Sequence, residues 1–205
     1  MHSTERFTGQ PQYEAMLAAA VEKLEGRDPA DIAEKACMTW TDGILSCESL
    51  GRRVSFTWPG FRALAPMDIW HHLTLLQVMQ GARGQQPDDR WLSLSDLPDD
   101  GSSRGASFDR DVSMALERLS GLDEAALLPR CLALGAIVVP GTRADLCADF
   151  AFAPRYPLRL QLWYADDEFP ASGKVLVNRG SCSMLGLEAA GTAAVLLVRL
   201  LAEAN

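Results

Sequence analysis

Lysine is scarce in this chain: Lys23, Lys35 and Lys174 are the only ones among 19 Lys and Arg residues, which face 27 Asp and Glu. The net charge of −8 leaves the basic footprint of a nucleic-acid binder absent from the totals, so only a local patch would restore that reading and no nucleic-acid partner is expected. Long apolar runs are missing too. The longest, Ala193 to Leu201, is interrupted by Arg199 and falls well short of the roughly 20 residues of a membrane span, so no transmembrane helix is expected. Met1 to Gln10 is polar and lacks the apolar centre of a signal peptide. Cysteines are few and scattered: Cys37, Cys47, Cys131, Cys147 and Cys182 are odd in number and have no CxxC spacing. That is unlike a secreted disulfide framework, and reduced thiols in a cytoplasmic protein are expected. Also absent are a Walker loop, a dinucleotide-binding glycine fingerprint, a nucleophile elbow, a zincin helix, a zinc ribbon and an EF-hand loop, which sets aside the common cofactor sites.

What is present is an ordinary globular composition, 205 residues with 48% hydrophobic and 22% charged, enough for one core; a single domain over 1–205 is expected. Apolar residues recur at helical spacing from Gln12 to Leu24, and Asp28-Pro29 reads as an N-cap with proline at the first helical position of a helix through Ala36. From Cys37 to Trp58 the pattern alternates, with turns at Asp42-Gly43 and Leu50-Gly51, and predicts a three-stranded antiparallel meander. A helix begins at Pro66, with Ile69, Trp70, Leu73, Leu76 and Met79 on one stripe. Trp91 to Leu97 reads as extended, and Pro98 to Gly105 as a mobile connection. Helices follow at Phe108 to Leu119 and Asp123 to Leu134, then strands at Ala136 to Val139, Leu146 to Phe152, Leu158 to Tyr164 and Lys174 to Val177, and a closing helix from Leu185 to Glu203. Strands at both ends with helices between them predict an α+β fold, in which all strands join one mixed, mainly antiparallel sheet with helices packed on it.

Residues with chemical potential are sparse. His71 and His72 are adjacent, so on a helix they point about 100° apart and cannot share one metal as an i, i+4 pair does. A structural histidine is the plainer reading of each, and a lone axial ligand or acid/base at His72 is the functional one. Cys37 and Cys47 flank the first hairpin turn and are expected nearly opposite each other in the core. Cys182 lies just before the last helix, where backbone amides lower a thiol pKa. An assembled site would draw on His72, Cys182 and Glu188. The run Asp166, Asp167 and Glu168 reads as a solvated turn, with a hard cation or a basic protein partner as the functional alternatives. Arg155, Arg159, Lys174 and Arg179 are expected to offset its charge, and Phe169 is expected to anchor it.

The stretch Leu162-Trp163-Tyr164-Ala165-Asp166-Asp167-Glu168-Phe169-Pro170-Ala171-Ser172, followed by Val175-Leu176-Val177 and a helix containing Glu188, resembles the prokaryotic family known as domain of unknown function 3786. Tyr13-Glu14, Arg27-Asp28-Pro29 and Trp91-Leu92-Ser93-Leu94-Ser95-Asp96-Leu97-Pro98 are similar to it as well, in the same order. The resemblance implies an anaerobe's protein with an accessory role beside iron–sulfur and corrinoid (tetrapyrrole) proteins, whether as a binder of such a cofactor or of a redox partner. It also implies a His-Tyr pair before the last helix, where this chain has Ser183-Met184. An enzyme with a site assembled from distant residues and a structural protein with a basic partner are the alternatives.

Overall fold

The computed structural model describes residues 11–98, 100–119 and 121–203, and the fold is α+β. Helices α1 (Pro11–Glu22) and α2 (Pro29–Ala36) come first, the second capped by the Asp28 carboxylate on the Ala30 amide at 2.9 Å. Strands β1 (Thr39–Thr41), β2 (Ile44–Ser49) and β3 (Arg52–Thr57) form the expected antiparallel meander. Its two turns have the same backbone shape for different reasons. Asp42-Gly43 (φ 49° and 77°) is the residue pair that a left-handed two-residue turn favours. Leu50-Gly51 (φ 46° and 72°) places a leucine where L side chains are disfavoured. Leu50 is fully buried and its amide donates to the Ala151 carbonyl at 2.8 Å, which offsets the strain and ties the meander to the rest of the chain.

The remaining strands do not join that meander, contrary to the expectation of one sheet. They form a second sheet in the order β4 (Trp91–Leu92), β8 (Ser172–Asn178), β7 (Tyr156–Trp163), β6 (Leu146–Ala153), β5 (Ile137–Val138), with antiparallel neighbours throughout. The strands were legible one by one because alternation is local, whereas the contact of the separate meander with the second sheet runs through long-range bonds, Leu50 N–H to the Ala151 carbonyl and Ser49 Oγ–H to the Phe152 carbonyl, which no periodicity encodes. β7 starts two residues earlier than its pattern suggests. Pro157 lies inside it, tolerated beside the bulge between Ala151 and Ala153 where the ladder is already interrupted. Along β7 the residues Tyr156, Leu158, Leu160 and Leu162 are buried and alternate with partly exposed ones, so one sheet face carries the core.

Helix α3 (Ile69–Gly81) starts at the Asp68 cap, three residues later than Pro66, and α4 (Ala106–Leu116), α5 (Glu124–Ala133) and α6 (Leu187–Glu203) complete the chain. α6 buries ten residues against α3, α4, α5 and β8, as its apolar composition demands. Only Trp91 and Leu92 of the extended segment pair as strand, and a 3-10 turn follows at Leu94–Asp96. The connection read as mobile contains a π-helical turn, Gly101–Gly105, packed on that 3-10 turn. A Cβ on Gly105 would lie 2.4 Å from the Leu94 carbonyl oxygen, so glycine is what lets the two backbones touch. Asp109 fastens the same contact by accepting from the Leu94 and Ser95 amides, each at 3.0 Å.

The junction of the two sheets has a clean test. Gly43 and Gly51 share a left-handed φ, but a Cβ at 43 meets nothing within 4 Å, whereas one at 51 falls 2.8 Å from the backbone of Leu134 and Gly135 at the end of α5. Gly43→Ala should cost about 1 kcal/mol through backbone strain alone, and Gly51→Ala roughly twice that or more, measured by urea denaturation. Equal losses would show that the turn does not pack as described.

Candidate functional site

The most chemically suggestive pair in the chain is a serine and a histidine in contact. The Ser49 hydroxyl lies 2.7 Å from His71 Nε2 and 2.5 Å from the Phe152 carbonyl oxygen. A carbonyl only accepts, so the single hydroxyl proton goes to Phe152, and His71 must donate from Nε2 to Ser49. That fixes the neutral Nε2–H tautomer, with Nδ1 buried and, among the described residues, without a hydrogen-bond partner. The polarity is the reverse of a nucleophile–base dyad, in which the imidazole accepts the serine proton. Both residues are also fully buried. Burial, with Arg52 as the next contributor, pushes the His71 pKa down to about 4. The pair is a joint between β2, α3 and β6.

His72, the expected ligand or acid/base, is likewise engaged. Its Nε2–H donates to the Phe61 carbonyl at 2.8 Å and its ring stacks on Phe56 with centroids 5.2 Å apart, which holds Phe61 at its left-handed φ of 48°. Burial lowers its pKa. Cys182 is buried in a 3-10 turn beside the fully buried Tyr156, away from solvent. Glu188 is the opposite case, in the first turn of α6 and 71% exposed, paired with Arg104 at 2.6 Å. The three residues considered for an assembled site thus have separate surroundings: a helix–meander contact, a buried turn and an open rim.

Glu188 does line a cavity, a polar groove of about 520 Å³ at the head of α6. Gln77, Gln80, Asp100, Arg104, Ser183 and Glu188 supply its polar walls. The groove exists because α3 ends against the turn that enters α6: a Cβ on Gly81 would sit 2.0 Å from the Met184 carbonyl oxygen. Ser183 stands at its edge and accepts from Gln85 Nε2 at 3.2 Å, while Met184 is buried. Groove volume and polarity suit a small ligand or a partner's loop.

The acidic turn is self-contained. Asp166 accepts from the amides of Glu168 and Phe169 at 2.9 and 2.7 Å, which lowers its pKa, while Asp167 and Glu168 stand in solvent. Among the described residues no group of three or more His, Cys, Asp and Glu side chains is arranged to hold a metal ion, these three included. Phe169 is 66% exposed and does not anchor the turn, because the Asp166 carboxylate already closes it. The basic residues expected to offset the charge have other partners: Arg159 forks onto Asp149 at 2.6 and 2.8 Å, Arg179 meets Asp88, and Arg155 donates to the Lys35 carbonyl. Lys174 lies over the Trp163 ring.

The cysteines correct a further expectation. Cys37 is the left-handed C-cap of α2 and is exposed, while Cys47 pairs in register with Val54 and is buried, so the two do not face each other across the hairpin. Burial raises the Cys47 thiol to about 12 and Cys131 to about 11, which leaves both protonated and unreactive.

A family model described as Domain of unknown function (DUF3786) matches residues 28–200. The chain belongs to the DUF3786 family. No curated protein and no solved structure matches it. The DUF3786 match runs from the cap of α2 to the last turns of α6, and so takes in the Ser49–His71 joint, the groove and the acidic turn, leaving out α1. Ser49 escaped sequence reasoning although a signal existed: it continues the inward series Leu45, Cys47, and a hydroxyl on a core face needs a partner. Nothing local marked Arg104, whose role comes from the π-helical turn that presents it.

The joint makes the stability of this chain depend on pH. A histidine whose folded pKa is depressed is favoured in the neutral form, so its contribution is complete above 6.5 and is lost as pH falls towards 4. Between about pH 7 and about pH 5, His71 alone should remove about 2 kcal/mol of unfolding free energy. His72 adds in the same direction. His71→Gln keeps a donor towards Ser49 without titrating, and should flatten the His71 part of the slope in chemical denaturation. An unchanged slope would assign the titration elsewhere.

Proposed function

We propose that this chain is an accessory protein of anaerobic redox metabolism that docks a partner at the groove heading α6 and performs no covalent chemistry itself. One observation carries the reading: the Arg104–Glu188 ion pair, 54% and 71% exposed, stands on the rim of that groove. A pair so exposed contributes little to folding. Its two opposite charges can each exchange for a partner's charge, which gives orientation and specificity to docking. The side chains from which an enzyme would be assembled point the other way. Ser49, His71 and His72 bond to carbonyls or to each other, and Cys182 is buried.

The resemblance brings iron–sulfur and corrinoid proteins into consideration as the cofactor's carriers. The donors of this chain do not fit a cluster: Cys37 is exposed, the other four thiols are buried on separate elements, and no three metal-binding side chains converge among the described residues. His72 would have to release the Phe61 carbonyl to become an axial ligand. The reading therefore gives the cofactor to the partner. A second docking point is favoured by the acidic turn, where Phe169 stands exposed beside Asp167 and Glu168 and suits a basic surface with an apolar spot.

Anaerobic purification of the tagged chain from its native host, with an absorption spectrum and metal analysis, tests both. A chromophore-bearing partner should be retained at low salt and released as salt rises. Retention should fail in an Arg104→Ala, Glu188→Gln variant that melts within a few degrees of the parent. Failure only in the Asp166→Asn, Asp167→Asn, Glu168→Gln variant would move docking to the acidic turn. Stoichiometric metal or chromophore on the isolated chain would contradict the reading.

A further inference from the structure

The five-stranded sheet has an open edge at β5, which pairs with β6 on one side and, among the described residues, with no strand on the other. The register shows which backbone groups face outward. Ile137 and Val138 stand opposite Asp149 and Ala148, and the Val139 amide donates to the Cys147 carbonyl at 2.8 Å. Hydrogen-bonded and non-hydrogen-bonded pairs alternate along an antiparallel ladder, so Ile137 and Val139 bond inward to β6 and Val138 turns both its N–H and its C=O outward. The outward positions two residues away supply no further donor. The Ala136 amide is used on the Cys131 carbonyl at 3.0 Å, and Pro140 has no N–H.

The edge is apolar and uncharged. Ile137 is 71% and Val138 41% exposed, and Leu132, in the last turn of α5, is 54% exposed. Exposed sheet edges are ordinarily guarded by charged side chains, lysine above all. Here twelve consecutive residues, Cys131 to Thr142, carry no charge in a chain of net charge −8. Asp149, the cross-strand neighbour of Ile137, is neutralised by the Arg159 fork. Two copies of so acidic a chain repel each other, and at this edge they can meet without bringing like charges together.

We infer that β5 pairs antiparallel with β5 of a second copy of this chain about a two-fold axis, joining the two sheets into one with five strands from each copy. The Val138 N–H of each copy donates to an outward carbonyl of the other, and Ile137 and Val138 cover the same apolar surface on both sides of the axis, as a closed isologous contact requires. A contact one strand wide falls short of the roughly 1,200 Å² buried by a stable specific interface, so the dimer is weak and concentration-dependent, with a dissociation constant on the order of 0.1 mM. The inference does not rest on the groove at the head of α6, and either can fail without the other.

Sedimentation equilibrium and NMR of the isotope-labelled full chain provide the test. Between about 10 μM and about 1 mM the average mass should rise towards that of a dimer, and the Val138 amide should shift and gain protection from hydrogen exchange. The Val139 amide, already bonded to Cys147, should keep the protection it has. Salt should tighten the association, because it screens two acidic chains from each other and no charge pair holds the contact. Ile137→Lys, at an exposed position, should weaken it about tenfold or more while the melting temperature stays within a few degrees of the parent. Val138→Pro should do the same by removing a donor that no bond within the chain uses. A chain that stays monomeric to about 1 mM overturns the inference and leaves the edge to a strand of another protein. So does a dimer that leaves the Val138 amide unshifted, persists in both folded variants, or dissociates as salt rises.

Discussion

One hydroxyl holds the architecture together. Ser49 receives a proton from His71 on α3 and gives its own to the Phe152 carbonyl on β6, so three elements meet at a single buried oxygen. The two sheets share no strand, and the neighbouring Leu50 amide reaches the Ala151 carbonyl beside it. The arrangement has no slack: a carbonyl accepts, a hydroxyl has one proton, and the imidazole tautomer follows. It also keeps a buried histidine neutral, because a proton on Nδ1 would be a donor without an acceptor.

Much of the molecule's polar chemistry is committed in the same way. His72 holds the Phe61 carbonyl, and Asp68 caps α3 while pairing with Arg199. Arg27 reaches across to the Met79 and Gln80 carbonyls at the end of α3, and Asn178 clasps the backbone of Asp88 from both sides. Arg27 and Asn178 join segments far apart in sequence by satisfying backbone groups that burial would otherwise leave bare. Such residues resemble catalytic ones in composition, and only their partners distinguish the two.

That is why the fold was largely legible in the sequence and the site was not. Periodicity and turn chemistry located the meander, the later strands and the buried α6, since each is a local property of ten or so residues. The α+β class followed from their order. The division into two sheets did not, because strand partners are set by contacts between residues about 100 apart in sequence, such as Ser49 with Phe152, which local pattern does not carry. Among the candidate residues, Glu188 lines a cavity, whereas His72 and Cys182 serve packing, and residue type alone could not separate them. Phe169 was misplaced for a related reason: an aromatic beside a proline suits an anchor, but the Asp166 carboxylate closes the turn without it.

The Ser49–His71 pair is structural, with its proton polarity set by the Phe152 carbonyl. Long-range nitrogen–proton NMR correlations of the His71 ring near neutral pH test it most directly, because they report which nitrogen carries the proton. A structural pair gives a neutral ring protonated at Nε2, with slow exchange and no titration until pH approaches 4. A ring protonated at Nδ1 with Nε2 free to accept from Ser49, or one titrating at an ordinary histidine pKa, would contradict it and return the pair to consideration as a catalytic dyad.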